Sequence, residues 1–553
     1  MDPESSFIQL LASIEKCMIR PFEVSLEDND NIITNMEQLL DAENIKLFRF
    51  LNEKSDNAYA AKLIGNFYEI KYDEGKMSDI AARTEASKWF RKSAEMGQPI
   101  ALTKIGLDHM KGEYGEKNYQ LAMEFFKKAA DKKHPDAMFN IGEMYYYGHG
   151  IPISLPDAFN WYLNAAKLGD IAGVLSVAYM YLNGEAVDKS CTEGLKWSHE
   201  AAKMGDPMGM CNIADLYNGT YPDFTPTDKK VAMEWYLKAA NLGSAYAMRV
   251  LGNTHYEKDQ KQSLEWYKKS SDVEPDDSIM YSIGQMYEFD IGCTASLSES
   301  LLWYARSAAL NNARAMNKMG TYYFYGWAVT PDYNAAFSWY MKAAQLKDAE
   351  GIANVGYMYY HGLGCIQDKK KAFKWLLKSL DKKYSHACHE LGVFYKNAYL
   401  ETKTGSQEII KTYEKGAELG NIEAMLELGD LYQKGVYTEK DEKLALKWYH
   451  EAANNKNHTA LTKIGEIYED QKNIDQAIKY FARSLQKITD KAEAERMKKK
   501  ITKLMDTNNI DLLIEWIKLV DEKAEKANKI PEAVTDKKKE VLHQPEGDGY
   551  ILC

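Results

Sequence analysis

The sequence predicts an all-α protein, an α/α superhelical solenoid of about twelve stacked helix-turn-helix repeats with helical caps. Three observations predict it. A twelve-residue frame, Ala-x-x-x-(Leu/Ile)-Gly-x-x-Tyr-x-x-Gly, recurs along the chain and is clearest at Ala137 to Gly148 and at Ala424 to Gly435. The small residue of that frame falls at Gly65, Gly106, Gly142, Ala178, Ala214, Gly252, Gly284, Gly320, Gly356, Gly392, Gly429 and Gly465, and most of these steps are 36 residues. Between frames stands a second pattern, Ala-x-x-Trp-Tyr-x-x-Ala-Ala, at Ala158 to Ala166, Ala232 to Ala240 and Ala336 to Ala344. A period in this range marks stacked units, each of which buries its apolar face only against its neighbours.

Residues 1–55 precede the array. Apolar-periodic stretches at 7–19 and 32–51, separated by Pro21 and the acidic run Glu27 to Asp30, predict an N-terminal helical cap over the first repeat. A separate partner-binding helix pair is the sharper reading of the same residues. Residues 56–486 form the array. Its second helices place apolar residues at i, i+3, i+4, i+7 and i+8, the stripe that faces a core. Gly inside a helix costs about 1 kcal/mol relative to Ala, so close approach of the partner helix must offset it. Burial of a Trp or Tyr supplies roughly 1.5–3 kcal/mol. Nine of the eleven Trp fall in second helices (Trp89, Trp161, Trp197, Trp235, Trp266, Trp303, Trp339, Trp375 and Trp448) and are read as core. A Gly stop follows the second helix at Gly97, Gly169, Gly205, Gly243 and Gly420, which suits a left-handed cap. The step from Gly252 to Gly284 is 32 residues and that from Ala214 to Gly252 is 38, with Pro222 and Pro226 inside it. A local change of superhelix pitch is expected there, separating two sub-arrays. Residues 487–530 predict charged capping helices, including 510–520 with Trp516, and 531–553 a polar, disordered tail.

Composition narrows the function classes. With 45% hydrophobic and 12% aromatic residues the chain has ample material for a core. Its net charge of −11 argues against a nucleic-acid partner, which needs a concentrated basic face. The seven Cys are scattered with no CxxC spacing, the pattern of free thiols in a reducing compartment. No apolar run approaches the roughly 18 residues of a membrane span, and the first residues lack the basic region of a secretory signal. The expectation is a cytoplasmic protein, with the nucleus as the alternative and no direct membrane insertion. No GxxxxGK[ST], GxGxxG after a strand, HExxH or GxSxG is present, so neither an enzyme nor a cofactor is expected. The best His/Cys cluster is His386, Cys388 and His389, with His361 and Cys365 one repeat earlier. A zinc site needs about four ligands in tetrahedral array, and ordinary groove polarity is the reading, with no metal.

The recurring Leu/Ile-Gly-x-x-Tyr and Trp-Tyr-x-x-Ala-Ala motifs resemble the Sel-1-like repeat family, longer-loop relatives of tetratricopeptide repeats, over about residues 56–486. The resemblance implies an α/α superhelix whose first helices line a concave face. It also implies adaptor roles, since members serve in degradation complexes, as activators of cell-wall synthases, in signalling and in bacterium–host contact. Two departures stand out. The paired Cys of secreted members is missing from each repeat, and neither the signal peptide nor the anchor of the endoplasmic-reticulum adaptors is seen.

If tetratricopeptide geometry carries over, offsets −6, −3, +1, +4 and +5 from the small residue face the concave side. There the middle units are aromatic: Phe139, Tyr146, Tyr147, Tyr179, Tyr246, Tyr256, Tyr281, Phe289, Phe324, Tyr325, Tyr357 and Tyr360. Interleaved polar residues are Glu143, Arg249, Asn253, Gln285, Arg314, Asn317 and His361. Aromatics with a few convergent polar groups suit a peptide groove, because they offer large contact area at low entropy cost. The competing reading is that some of these rings pack against adjacent first helices. The expected function is a non-enzymatic scaffold or adaptor that binds a protein or peptide along the concave groove. A regulatory activator subunit of a membrane-bound enzyme, such as a cell-wall synthase, is the alternative.

Overall fold

Helices in this chain begin where a side chain replaces a missing hydrogen-bond partner. Asp228, Asp332 and Asp441 accept the first free amides of second helices, and Asp170, Asn312 and Asn457 do so for first helices. The computed structural model describes residues 3–19, 26–37, 41–73, 79–113, 116–402, 406–488 and 490–505. Among them every regular element is a helix.

The chain divides into two units, Met1–Glu274 and Pro275–Cys553. The first holds α1 (Pro3–Ile19), α2 (Leu26–Glu37) and α3 (Asp41–Glu53), which pack on α4 through Leu10, Ile14, Ile32, Leu47 and Leu51. Then come the pairs α4 (Ala58–Asp73) with α5 (Asp79–Glu95), α6 (Pro99–Lys111) with α7 (Tyr119–Ala130), and α8 (Pro135–Tyr147) with α9 (Leu155–Lys167). They continue as α10 (Ile171–Asn183) with α11 (Cys191–Lys203), α12 (Pro207–Asn218) with α13 (Lys229–Asn241), and α14 (Ala245–His255) with α15 (Gln260–Val273). The second unit pairs α16 (Asp277–Glu288) with α17 (Leu297–Ala309), α18 (Ala313–Tyr325) with α19 (Tyr333–Gln345), and α20 (Ala349–His361) with α21 (Lys369–Asp381). It goes on through α22 (Ala387–Thr402) with α23 (Ser406–Glu418), α24 (Ile422–Lys434) with α25 (Glu442–Asn454), and α26 (His458–Asp470) with α27 (Ile474–Leu485), followed by α28 (Lys491–Met505). The division at Glu274 falls inside the 32-residue step between Gly252 and Gly284. The sequence expectations for 510–520 and for the tail from Pro531 lie outside the described residues.

Most pairs are wedged the same way. A Cβ on Gly142 would stand 2.6 Å from ring carbons of Tyr162, and one on Gly320 would stand 2.5 Å from those of Tyr340. Gly106 meets Phe126, Gly252 meets Tyr267, Gly284 meets Tyr304 and Gly465 meets Phe481 in the same manner. The ring is therefore seated on bare backbone, where no side chain larger than hydrogen fits. This corrects the sequence reading of the tryptophans. The buried ring is the residue after the Trp: Tyr162, Tyr236, Tyr304, Tyr340 and Tyr449 are all 2% exposed or less. Of the nine second-helix Trp only Trp303 is buried; the rest are half-exposed. Neighbouring residues on a helix point about 100° apart, so Trp and Tyr cannot both face the first helix. The other indoles pack half-buried against the edge of that core and also carry a cation, with Lys238, Lys269 and Lys342 lying 4.0, 4.4 and 3.9 Å from the rings of Trp235, Trp266 and Trp339. One repeat inverts the wedge. Where the second-helix ring shrinks to Ser198 the small residue is Ala178, and Gly194 of α11 admits Leu182 of α10.

A second device ties the pair at its other end. Where the second helix has Ser in place of the first Ala of Ala-Ala, its hydroxyl donates to the opening carbonyl of the first helix. Ser270 bonds Ala245, Ser307 bonds Asp277 and Ser379 bonds Ala349, at 2.7–3.1 Å. The link to the next repeat turns through a left-handed residue: Gly169, Gly205, Gly243 and Gly420, as expected, but Lys133, Asn311, Lys347, Lys383 and Lys456 elsewhere.

Between α5, α6 and α7 the packing opens into a cavity of about 980 Å³. It occurs where His109 replaces the frame Tyr and Phe125 replaces the Trp, so less ring volume fills the space. Next to it Asp108 is 5% exposed, and neither carboxylate oxygen has a hydrogen-bond partner. Burial pushes this carboxyl up to about 7 against the pull of Lys104, 3.9 Å away.

Two outcomes follow. G320A in the native background is expected to lower stability by about 1–3 kcal/mol. The same change made in a Y340S background should cost far less, because the ring it strikes is gone; equal costs in a urea-denaturation double-mutant cycle contradict the wedge. For Asp108 the folded-state pKa lies above the unfolded one. The protonated form therefore supports the fold below about pH 4, and that support is lost as pH rises through about 7. D108N, with Lys104 still paired to Glu69 at 3.0 Å, is expected to be more stable than the parent by about 2 kcal/mol at pH 8 and equal to it near pH 4. Urea midpoints at the two pH values decide.

Candidate functional site

The wedged Tyr is long enough to bring its hydroxyl out at the first-helix face, where it needs a partner. Tyr162 Oη donates to Glu143 Oε1 at 2.6 Å, Tyr267 Oη to Asn253 Oδ1 at 2.7 Å and Tyr449 Oη to Asp430 Oδ1 at 2.6 Å. Tyr236 donates likewise to Asp215. Each acceptor is the residue after the frame's small residue, so the +1 offset carries a structural duty as well as facing outward. Burial, then the bond to Glu143, holds the Tyr162 phenol far above its ordinary range.

In the first unit these positions enclose a pocket of about 450 Å³. From α8 it takes Glu143, Tyr146 and Tyr147, from α10 Leu175, Ser176 and Tyr179, and from α12 Met208 and Asn212. Tyr147 is 57% exposed and Tyr179 48%. Tyr146 meets Tyr147 edge to face at 4.9 Å and donates its hydroxyl to Glu185 Oε2 at 2.8 Å. Tyr179 donates to the other oxygen of Glu185 at 3.4 Å. Phe139 lies half-buried behind the pocket with its ring 5.5 Å from that of Tyr162. The remaining first-unit candidates fall outside it. Tyr246 donates to Asp215 at 2.9 Å, Arg249 pairs with Glu274 at 3.2 Å, and Tyr256 is 38% exposed.

In the second unit the candidate aromatics stack on one another. Phe324 of α18 lies 6.1 Å from Tyr357 of α20 and 5.2 Å from Tyr333. Tyr357 and Tyr360 both touch His361, at 4.3 and 5.0 Å, and Tyr360 continues to Phe394 of α22. Tyr325 stacks on Trp327 at 5.1 Å. Tyr281 is half-buried on Tyr304, and burial pushes its phenol up to about 12. Phe289 is 57% exposed, with the Lys318 ammonium 5.5 Å from its ring. Gln285 is half-buried and Arg314 exposed. Asn317 departs from the expectation: it is 2% exposed and accepts from Asn354 Nδ2 at 2.8 Å, so the −3 offset here serves contact between first helices.

Sequence reasoning missed Leu175, Ser176, Met208, Asn212 and Glu185. Leu175 and Met208 occupy the −3 and −6 offsets, but being neither aromatic nor charged they carry no signal of a binding role. Glu185 follows the Gly that ends α10, outside the frame, and has no periodic signal. Of the His/Cys cluster, Cys388 is buried against Gly416 and its thiol is pushed up to about 12 by burial, while burial lowers His389. Among the described residues no three His, Cys, Asp or Glu side chains gather to hold a metal ion.

The Sel1 repeat family model matches residues 73–98, 99–134, 135–170, 174–206, 207–244, 246–272, 279–312, 313–348, 349–384, 422–457 and 459–487. The chain belongs to the Sel1 repeat family. The α22–α23 pair is left unmatched; it keeps the wedge of Tyr413 on Gly392 but has Thr412 where the other repeats here have Trp, Phe or Tyr. Among solved structures, the chain is similar to c5321, a protective antigen of uropathogenic Escherichia coli displaying an SLR fold, at 25% identity and a TM-score of 0.61, covering 80% of this chain and 94% of that one. A Sel1 repeat protein from Oxalobacter formigenes is also similar, at 25% identity and a TM-score of 0.43, covering 55% of this chain and 89% of that one. No curated protein matches the chain. Membership and fold together support a protein-interaction scaffold. Among the described residues no helix is long and apolar enough to cross a membrane.

The burial of Asn317 generates its own outcome. N317A leaves the Asn354 amide without its acceptor and should cost about 1–3 kcal/mol in urea denaturation. A midpoint equal to the parent's contradicts the structural role.

Proposed function

We propose that this Sel1 repeat protein is a non-enzymatic scaffold whose first-helix face seats an extended or helical segment of a protein partner, with the α8–α10–α12 pocket as an anchor point. The observation that carries the reading is the pair of exposed rings, Tyr147 and Tyr179, beside a pocket that also holds polar acceptors. Exposed rings around a concavity are what a peptide anchor requires, since they lose little entropy on contact and shed much water. The second unit's face, with Phe289 exposed and Phe324, Tyr357 and Tyr360 packed on each other, offers a firmer and less open surface. The partner class is protein or peptide, and the reading needs neither cofactor nor bond-breaking chemistry.

A photoreactive benzoyl-phenylalanine placed at Tyr147 or Tyr179 is expected to cross-link the partner in the native cell, and one at Leu237, exposed on α13, is not. Y147S/Y179S should reduce capture of the cross-linked partner by roughly 10-fold without moving the melting temperature by more than about 2 °C. Cross-links from Leu237 alone, or undiminished capture by the folded double variant, reject the site.

A further inference from the structure

We infer that the α8–α10–α12 pocket receives the cationic end of a lysine or arginine side chain from the partner. This rests on the reading that the first-helix face binds that partner, and it goes on to name what the pocket selects. At three places on this face, an acidic residue of one first helix is met by a lysine two residues before the small residue of the next. Lys463, two before Gly465, reaches Asp430 at 3.2 Å, the same carboxylate that accepts from Tyr449. Lys318, two before Gly320, reaches Glu288 at 2.9 Å, and Lys104, two before Gly106, reaches Glu69 at 3.0 Å. In the pocket the wedged Tyr162 donates to Glu143 as Tyr449 does to Asp430, but the residue two before Ala178 is Ser176. The hydroxyl partner is present, and the internal cation that Lys463 supplies to Asp430 is not.

Glu185 adds a second carboxylate, held by the hydroxyls of Tyr146 and Tyr179. Among the described residues no lysine or arginine pairs with Glu143 or Glu185. Each carboxylate keeps lone pairs beyond those its tyrosines use. Tyr147 and Tyr179 present exposed rings to a cation, and Met208, 51% exposed, can cover the aliphatic stem. The chain's net charge of −11 would also draw a basic segment toward it. An acidic or purely apolar side chain would leave the Glu143 carboxylate of the pocket wall, and that of Glu185 bonded to two of the lining tyrosines, with no counter-charge.

The test uses the full chain and fluorescein-labelled nonapeptide pools, randomised except for a fixed central Lys, Arg, norleucine, citrulline or Glu, read by anisotropy. The Lys and Arg pools are expected to bind roughly 10-fold tighter than norleucine and citrulline at low salt, and the gap should narrow as salt rises. S176K, which supplies the cation found at Lys463, and E143Q/E185Q, which keeps acceptors but removes charge, should each erase the preference while melting like the parent. Binding of all pools alike, or a preference that survives both variants, overturns the basic-side-chain inference and leaves the groove reading standing. Binding of no pool, together with partner cross-links only from Leu237, overturns both.

Discussion

The structure depends on one contact repeated along the chain: an aromatic ring of the second helix laid on the bare backbone of the first. Where Tyr340 meets Gly320, or Tyr162 meets Gly142, the added Cβ of even an alanine would overlap the ring. The contact sets how close the two helices come, and that spacing lets the opening carbonyl of a first helix accept from the serine hydroxyl of its partner. It also fixes where the Tyr hydroxyl ends. The first-helix face is in this sense a product of the core, since its +1 residues are chosen to satisfy a buried phenol before they meet anything outside.

That coupling leaves the aromatic residues of the two units differently covered. In the second, Phe324, Tyr357, His361, Tyr360 and Phe394 share their ring area with each other, and Asn317 is closed off by Asn354. In the first, Tyr147 and Tyr179 remain open beside Glu143 and Glu185. A side chain whose area is already covered by a neighbour has less to gain from a partner. On the proposed reading the open rings of α8 and α10 are therefore the anchors, though the two stretches read alike in sequence.

One repeat compensates for a lost ring within its own pair. Ser198 removes the ring and Ala178 appears opposite it, while Gly194 opens a seat for Leu182. At His109 and Phe125 both large positions shrink with no replacement, and a cavity stays beside Asp108, whose carboxylate has Lys104 3.9 Å away but no hydrogen bond. Left-handed links tolerate Lys347 or Lys456 in place of Gly, at a backbone cost of roughly 1–2 kcal/mol, because the helix caps on either side hold the turn.

The repeat period, the helix pairing and the family were legible from spacing alone, because small residues recurring every 36 positions fit a stack of helix pairs and little else. The aromatic offsets were legible too, and they led to Tyr146, Tyr147, Tyr179 and Glu143 of the pocket. Tertiary structure alone decided which of two adjacent residues, Trp or Tyr, enters the core, since a repeating pattern does not say which way a helix is rotated. It alone revealed that Asn317 is buried and that Glu185, lying beyond the frame, folds back onto Tyr146. Periodicity reports which residues share a face; only the packing of neighbouring helices determines which of them stay uncovered.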